Sequence, residues 1–330
     1  MRLLILAAVL LAAPMVQAAP DLNDTARFLA GLPVSDYSPL TPLTADPAWK
    51  QHASYFGTAW AKLETRQLSK VREWSSANLP PRAAIVYYMF SGPDYLYANA
   101  FFPYAHTYVL CGTEPVGVVP DVTKLNLGPA LYRLEGSMNS VLNYSFFQTK
   151  QMREDFSGTE LNGTIPVLMV CLARCGKTII NISPIQPRGV CINYIGGTLY
   201  YFSIDLSNGS VEKSGLLDFC RGLGRGDSLL KSASYLPHEA AFSAIDNFLL
   251  EQSDMIVEDD SGIAHQSFDP AKWTVRLYGK YQPPIDIFKQ YYQPDLADAY
   301  AHSSPAALPF GIGYRGWDPA QSALIVGYRR

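Results

Sequence analysis

Carboxylate side chains lie shortly after two apolar segments of this sequence. Asp94 comes after the apolar residues 83–90, and Asp260 belongs to an acidic run after residues 255–257. In open α/β sheets, ligands bind beyond the carboxyl ends of the strands. If the two segments are adjacent strands, the two carboxylates face one cleft, where they can exchange protons with a substrate or hold a metal ion. The sequence therefore predicts a catalytic role for Asp94 and Asp260.

The residues around these carboxylates suit a binding site, but they also suit plain structural roles. Ser91 and Asp94 have the spacing of a helix cap, with Pro93 in the first turn. The run from Asp259 to Gly262 is ordinary turn chemistry. Both interpretations remain open from the sequence alone. On the functional interpretation, the residues that contact a ligand are Ser91, Gly92, Tyr95, Asp259, Ser261 and Tyr278.

A third group combines a lysine, two serines and a histidine. Lys231 precedes Ser232 and Ser234, and His238 follows closely. Such side chains can support nucleophilic or acid–base catalysis, so Lys231 and His238 complete the predicted catalytic set. The sequence contains no Gly-x-Ser-x-Gly motif of the kind that positions a nucleophilic serine. His238 also lies near a predicted helix start, where it can simply cap the helix or face solvent.

The sequence assigns no cofactor and leaves metal binding open. The run Cys175-Gly176-Lys177-Thr178 ends like a phosphate-binding loop, but Cys171 occupies the position of that loop's first glycine. The chain has five cysteines, and in an oxidising compartment an odd number leaves at least one thiol unpaired. Because neither a CxxC pair nor a histidine cluster accompanies them, we expect buried thiols, with or without one disulfide, rather than a zinc site.

The elements that would position these residues follow from hydrophobic periodicity. A strand, a helix and a second strand are predicted over residues 83–90, 93–102 and 107–111. Such a unit implies that its two strands are parallel. After Gly176 the period changes, and three antiparallel strands are predicted over 177–185, 188–195 and 199–206.

The remaining segments extend the same alternation of helices and strands. Helices are predicted over 46–79, 127–151, 165–174, 216–223, 238–252 and 284–292. Strands are predicted over 228–235, 255–257, 273–281 and 323–328. This order indicates an α/β fold, with a mixed sheet covered by helices on both faces. We expect a single domain over residues 19–330, in which residues 19–79 form a helical extension on the main body.

Residues 1–18 have the features of a cleavable signal peptide. Arg2 gives a positive start, an apolar run extends over residues 3–16, and Ala18 provides a small residue for the peptidase. The run is shorter than the roughly 20 residues of a membrane-spanning helix. We therefore expect the mature chain in the periplasm or outside the cell, with membrane contact only through the signal peptide during export.

Four stretches of the sequence resemble those of a family of uncharacterised exported bacterial proteins. They are residues 87–94, 232–236, 259–263 and 277–281. The resemblance extends over about residues 80–330. It implies no activity, so the function has to be inferred from the residues themselves.

Composition and charge narrow the classes of function. The net charge is −3 and no basic stripe is present, so nucleic acid is not an expected partner. The 21 tyrosines supply rings that suit sugar faces and peptides, although most of them belong in a core. The favoured hypothesis is a periplasmic hydrolase that acts on a cell-envelope glycan, peptide or ester through its strand-end carboxylates. The alternative is a non-catalytic binding or envelope-assembly protein, which uses an aromatic cleft or the N-terminal helices.

Overall fold

The computed structural model of the chain describes residues 21–80, 84–148, 152, 161–186, 188–205 and 210–330, so the predicted signal peptide lies outside the described residues. The strands are β1 (Ile85–Tyr88), β2 (Thr107–Gly112), β3 (Ile179–Ile185), β4 (Gly189–Tyr194), β5 (Gly197–Ser203), β6 (Gly226–Leu230), β7 (Ser253–Glu258), β8 (Trp273–Gly279) and β9 (Ala323–Arg329). The α-helices are α1 (Leu22–Leu29), α2 (Pro47–Leu63), α3 (Ser69–Asn78), α4 (Tyr95–Phe101), α5 (Leu127–Tyr144), α6 (Ile165–Arg174), α7 (Ser210–Lys213), α8 (Leu216–Leu223), α9 (Ser243–Gln252) and α10 (Pro294–Ala301). Short 3₁₀ turns lie at Thr41–Ala45, Val122–Lys124, Leu236–His238, Ala240–Phe242, His265–Ser267, Asp286–Tyr291, Gly313–Arg315 and Pro319–Gln321.

The nine strands form one mixed sheet in the order β3-β4-β5-β2-β1-β6-β7-β9-β8. The five central strands, from β5 to β7, are parallel, so their carboxyl ends meet at one edge of the sheet. The strands β3 and β4 continue antiparallel on one side, and β9 and β8 do so on the other. The predicted α/β fold, with its parallel strand–helix–strand unit and its antiparallel meander, is confirmed.

The chain reverses its direction across the sheet beside β1. From β1 it forms β2 and then the edge strand β3, comes back through β4 to β5 beside β2, and later crosses to the other side of β1 to form β6 and then β7. The point between β1 and β6 is therefore a topological switch point, where open α/β sheets leave a crevice for ligands.

Alternation along the strands divides the core between the two faces of the sheet. In β1, Val86 and Tyr88 belong to one core cluster, and Tyr87 belongs to the other. The helices α1 to α6 pack on the first face, and α8 and α9 pack on the second. Burying each large apolar side chain is worth about 1.5–3 kcal/mol. The predicted helices on both faces are thus present, and each face has its own apolar core.

The N-terminal helices pack against α5, α6 and α4 on the first face. Asp46 caps the start of α2 by accepting a hydrogen bond from the backbone N–H of Ala48 at 2.8 Å. A π-helical turn, Glu64–Leu68, joins α2 to α3 and contains the fully buried Gln67. The Gln67 amide makes two hydrogen bonds to the backbone of Gly311, at 2.9 and 3.0 Å. One side chain therefore ties the N-terminal helices to the C-terminal part of the chain.

Several predicted boundaries are wrong, and the backbone after β6 explains two of them. The strand predicted over 228–235 ends at Leu230, because Ser232, Ser234 and Tyr235 have positive φ angles that no strand can accommodate. The helix predicted from residue 238 begins only at Ser243, after two 3₁₀ turns. The predicted helix over 284–292 is also a 3₁₀ turn, and α10 was not predicted.

The five cysteines are all free thiols, four of them buried. Burial raises the pKa of the Cys111 thiol to about 12, so this group is an unreactive apolar side chain at neutral pH. Among the described helices, none is both long and apolar enough to cross a membrane.

Candidate functional site

A pocket of about 480 Å³ opens at the carboxyl edge of the parallel strands. The segments that follow β1, β2, β5 and β6 all contribute to its wall, so it lies at the topological switch point. The wall combines aromatic rings, small polar side chains and glycines. Its residues are Tyr88, Phe90, Ser91, Gly92, Asp94, Gly112, Thr113, Glu114, Phe146, Phe147, Gln148, Ile204, Lys231, Ser232, Ala233, Ser234, Leu236 and Tyr314.

Asp94 and Lys231 form a buried ion pair in this wall. Their Oδ2 and Nζ atoms are 3.0 Å apart, and both side chains are almost fully buried. The Asp94 carboxylate also accepts hydrogen bonds from the Tyr88 hydroxyl, at 2.9 Å, and from the Tyr97 backbone N–H, at 3.2 Å. Lys231 donates to the Ser145 carbonyl and lies 4.1 Å from the centre of the Tyr97 ring. The two predicted catalytic residues therefore pair with each other, and the Asp94 carboxylate has two further hydrogen-bond donors and the Lys231 ammonium one further acceptor.

The loop that contains Asp94 combines the two roles that were predicted for it. Asp94 caps a helix, as the structural interpretation held, but it is itself the N-cap of α4, so Pro93 precedes the helix instead of lying in its first turn. The predicted capping role of Ser91 is wrong, because its hydroxyl donates to the Gly92 carbonyl at 2.8 Å. Ser91 and Gly92 line the pocket.

Asp260 is separated from Asp94 by a whole strand. The expectation that these residues end adjacent strands is wrong, because β6 lies between β1 and β7. Asp94 lines the pocket and Asp260 does not. The Asp260 carboxyl accepts a hydrogen bond from the Tyr235 hydroxyl at 2.5 Å. Burial, together with the neighbouring Asp259, raises the pKa of Asp260 to about 7. This carboxyl is perturbed, but it lies behind the pocket wall.

Asp259 and Ser261 hold the loop that follows β6. Asp259 accepts hydrogen bonds from the backbone N–H groups of Ser232, at 2.7 Å, and Ser261, at 2.9 Å. The Ser261 hydroxyl accepts one from the Ala233 N–H at 2.8 Å. Both side chains are buried and neither lines the pocket. They are positioning residues for the pocket wall rather than ligand contacts, which favours the structural interpretation of this acidic run.

Three other predicted site residues lie away from the pocket. Tyr95 is buried with its ring 5.1 Å from that of Tyr108, and the Tyr278 ring packs at 4.9 Å against Trp74. The His238 ring lies 5.4 Å from the Tyr235 ring, and burial lowers the His238 pKa. The pocket therefore contains Asp94 and Lys231 but not His238, and it contains Ser91 and Gly92 but not Tyr95 or Tyr278.

Glu114 is a pocket residue that the predicted set of site residues does not include. It lies two residues beyond β2 and is 2% exposed. Its Oε2 atom is 3.2 Å from the Tyr201 hydroxyl, whereas Oε1 has no hydrogen-bond partner among the described residues. The only signal in the sequence was an acidic residue close to the end of a buried strand. That signal becomes specific only when the neighbouring loops are seen to converge on it.

Backbone strain is concentrated around the pocket. Among the described residues that are not glycine, those with positive φ angles are Phe90, Ser145, Ser232, Ser234 and Tyr235. Phe90, Ser232 and Ser234 line the pocket, and the Ser145 carbonyl binds Lys231 in its wall. Conformations of this kind cost of order 1–3 kcal/mol each and cluster at functional sites. The strain thus marks the same edge of the sheet as the pocket does.

The charges in the pocket limit the ligands that it can take. Lys231 is neutralised by Asp94, and Glu114 adds a negative charge. Among the described lining residues no cation is left unpaired, so a phosphate or carboxylate ligand would meet net repulsion. Over the described part of the chain, no group of three or more His, Cys, Asp or Glu side chains is arranged to hold a metal ion. Fold and site together define an α/β chain with a pocket at the switch point of its sheet.

Comparison of the chain with models of protein families gives no match, and comparison with curated proteins gives none either. The resemblance to exported bacterial proteins therefore stays a prediction, and the function has to be argued from the pocket.

Proposed function

We propose that this chain is an exported protein that binds a small organic ligand in the pocket at the switch point of its sheet. One observation carries the proposal: a pocket of about 480 Å³ coincides with the strained backbone segments of the described chain. The volume falls within the roughly 300–1,000 Å³ of small-molecule sites. Export is supported by the signal-peptide features of residues 1–18.

Binding is better supported than hydrolysis through the strand-end carboxylates. A general acid or base has to reach the substrate with a proton to give or take. Asp94 already pairs with Lys231 and accepts two further hydrogen bonds, and Asp260 lies outside the pocket wall. A hydrolase acting on a cell-envelope glycan, peptide or ester would need a different pair of acid and base groups. We therefore favour the binding function.

The character of the wall suits a ligand with both apolar faces and hydroxyl groups. Phe90, Phe146 and Tyr314 supply aromatic rings, and the Phe146 and Tyr314 rings are 5.2 Å apart. Small polar side chains such as Ser91 and Ser232 line the same pocket. Fragments of cell-envelope glycans or peptides present this combination, with an apolar ring face or side chain beside polar groups.

A thermal-shift screen of residues 19–330 tests the proposal. The panel contains soluble glycan fragments, short peptides, nucleosides and acyl esters, and it is applied to the wild type and to Thr113→Trp, which places an indole in the pocket. Thr65→Trp is the matched control, because Thr65 is exposed on the turn that follows α2. A ligand at 100 times its dissociation constant adds about 2.7 kcal/mol to the free energy of unfolding. We expect stabilisation of the wild type and of Thr65→Trp but not of Thr113→Trp; equal stabilisation of all three would refute the site.

A further inference from the structure

We infer that the ligand carries two neighbouring hydroxyl groups, a vicinal diol such as a sugar or ribose ring presents, which donate hydrogen bonds to the Glu114 carboxylate. The inference rests on the proposed function, because it names the chemistry of the ligand in the same pocket. Glu114 lines that pocket although its side chain is 2% exposed. A charged group is almost never buried to this extent without partners.

The hydrogen-bond partners of Glu114 use only part of the acceptor capacity of its carboxylate. The Tyr201 hydroxyl lies 3.2 Å from Oε2, and it also lies 2.9 Å from the Glu114 backbone carbonyl oxygen. Oε1 has no partner among the described residues. An ionised carboxylate offers about four acceptor sites. The structure therefore leaves acceptor capacity on both oxygens, at a buried position where unsatisfied acceptors destabilise the protein.

Two glycines keep the Glu114 carboxylate open. A Cβ atom at Gly92 would lie 3.4 and 3.5 Å from the two carboxylate oxygens and would shield them both. One at Gly112 would lie 2.3 Å from Oε2, so a side chain there is excluded. Gly92 also has a φ angle of +55°, which disfavours any other residue. The space beside both oxygens is thus built into the backbone, and it matches two donors held side by side.

The other pocket groups favour hydroxyl donors over an ammonium group. The buried Ser232 Oγ has no hydrogen-bond partner in the described part of the chain, and it needs an acceptor for its proton. A hydroxyl group both donates and accepts, so a diol satisfies Glu114 and Ser232 together, whereas an ammonium group only donates. Phe90 and Tyr314 provide aromatic surface for the apolar face of a ring.

Calorimetric titration with two matched pairs of probes tests the inference. Adenosine is compared with 2′-deoxyadenosine, and methyl β-D-glucopyranoside with its 3-deoxy analogue, so the pairs distinguish a ribose from a pyranose source. In one pair we expect the wild type to bind the diol at least about tenfold more tightly than the deoxy compound. Glu114→Gln and Glu114→Asp lose that preference. Glu251→Gln, an exposed substitution on α9, keeps it.

Every other outcome overturns the inference, and the outcomes differ in what they do to the proposed function. Equal binding of a diol and its deoxy counterpart refutes the diol, and so does an unchanged preference in both Glu114 variants. In either case the pocket remains a binding site if Thr113→Trp abolishes binding. Binding of other panel compounds, but of neither probe pair, has the same meaning. If the wild type binds no compound at all, both proposals fail. Thermal melting of each variant confirms that it is folded.

Discussion

Asp94 and Lys231 are side chains that proteins almost never bury singly, and in this chain each is the other's partner. Their attraction offsets the loss of hydration, and the additional hydrogen bonds from Tyr88 and to Ser145 stabilise the two buried groups further. The pair also fixes the start of α4 relative to the end of β6, since Asp94 caps that helix. At the residue scale, its role is therefore to hold two loops of the pocket together.

Asp94→Asn should destabilise the protein strongly, because it leaves the Lys231 charge buried and unpaired. Breaking one partner of a buried pair costs about 3–5 kcal/mol. The double variant Asp94→Asn/Lys231→Met should be less destabilised than the sum of the two single variants. Urea unfolding measures all three.

The surface pair of Arg225 and Asp254, with its atoms 2.6 Å apart, provides the control. Asp254→Asn should change the free energy of unfolding by at most about 1 kcal/mol, because exposed pairs contribute little. Asp94→Asn with an equally small effect would show that the buried pair does not hold the loops.

Asp246 predicts a pH dependence of stability. Burial raises the pKa of this α9 carboxyl from 3.8 to about 8. The folded protein therefore binds a proton more tightly than the unfolded chain does, and the contribution to stability is complete below pH 3.8 and is lost as the pH rises toward 8. In Asp246→Asn this loss is removed. The stability of the variant relative to the wild type should therefore increase progressively between pH 5 and pH 8.

Urea midpoints at several pH values test this expectation for Asp246. Asp218→Asn, an exposed substitution on α8, is the control and should parallel the wild type. A constant difference between Asp246→Asn and the wild type over this range would contradict the account.

At the scale of elements, Gln67 shows how the N-terminal helices are coupled to the rest of the chain. The π-helical turn lengthens the helix by one residue without breaking it, as such turns often do at special sites. Both polar atoms of the Gln67 amide are used by the backbone of Gly311. The N-terminal helices thus pack on the sheet and are also bonded to the segment that precedes β9.

Gln67→Leu should lower the free energy of unfolding by about 2–6 kcal/mol. The substitution leaves the buried N–H and carbonyl of Gly311 without partners, and each unsatisfied group costs about 1–3 kcal/mol. Chemical unfolding measures the loss. Gln51→Leu on the exposed face of α2 is the matched control, and it should have little effect. Equal stability of the two variants would contradict the coupling.

Most elements could be predicted from the sequence because their signals are local. The βαβ unit and the meander follow from apolar runs, glycine turns and periodicity, and helix α6 is predicted to the residue. The loop after β6 could not be predicted, because its positive φ angles depend on Asp259 and Ser261, which lie far along the chain. Local propensity contains no information about such long-range hydrogen bonds.

At the scale of the whole molecule, the site depends on strand order rather than on any motif. The sequence predicts correctly that carboxylates follow the ends of strands. The order of the strands along the chain, however, does not reveal that β6 lies between β1 and β7 in the sheet. For the same reason Glu114 could not be assigned to the site, since its loop meets the β1 and β6 loops only in the assembled sheet. The pocket is therefore a consequence of the strand order, and the acidic residues Asp259 and Asp260 lie behind its wall.

Hydrogen–deuterium exchange with and without the strongest ligand from the panel tests whether the pocket at the switch point is the ligand site, because it locates binding on the chain. We expect slower exchange in the three loops at the carboxyl edge, over residues 90–94, 113–114 and 232–236, and unchanged exchange in the antiparallel strands β3 and β8. Protection elsewhere, with these three loops unaffected, would show that the pocket at the switch point is not the ligand site.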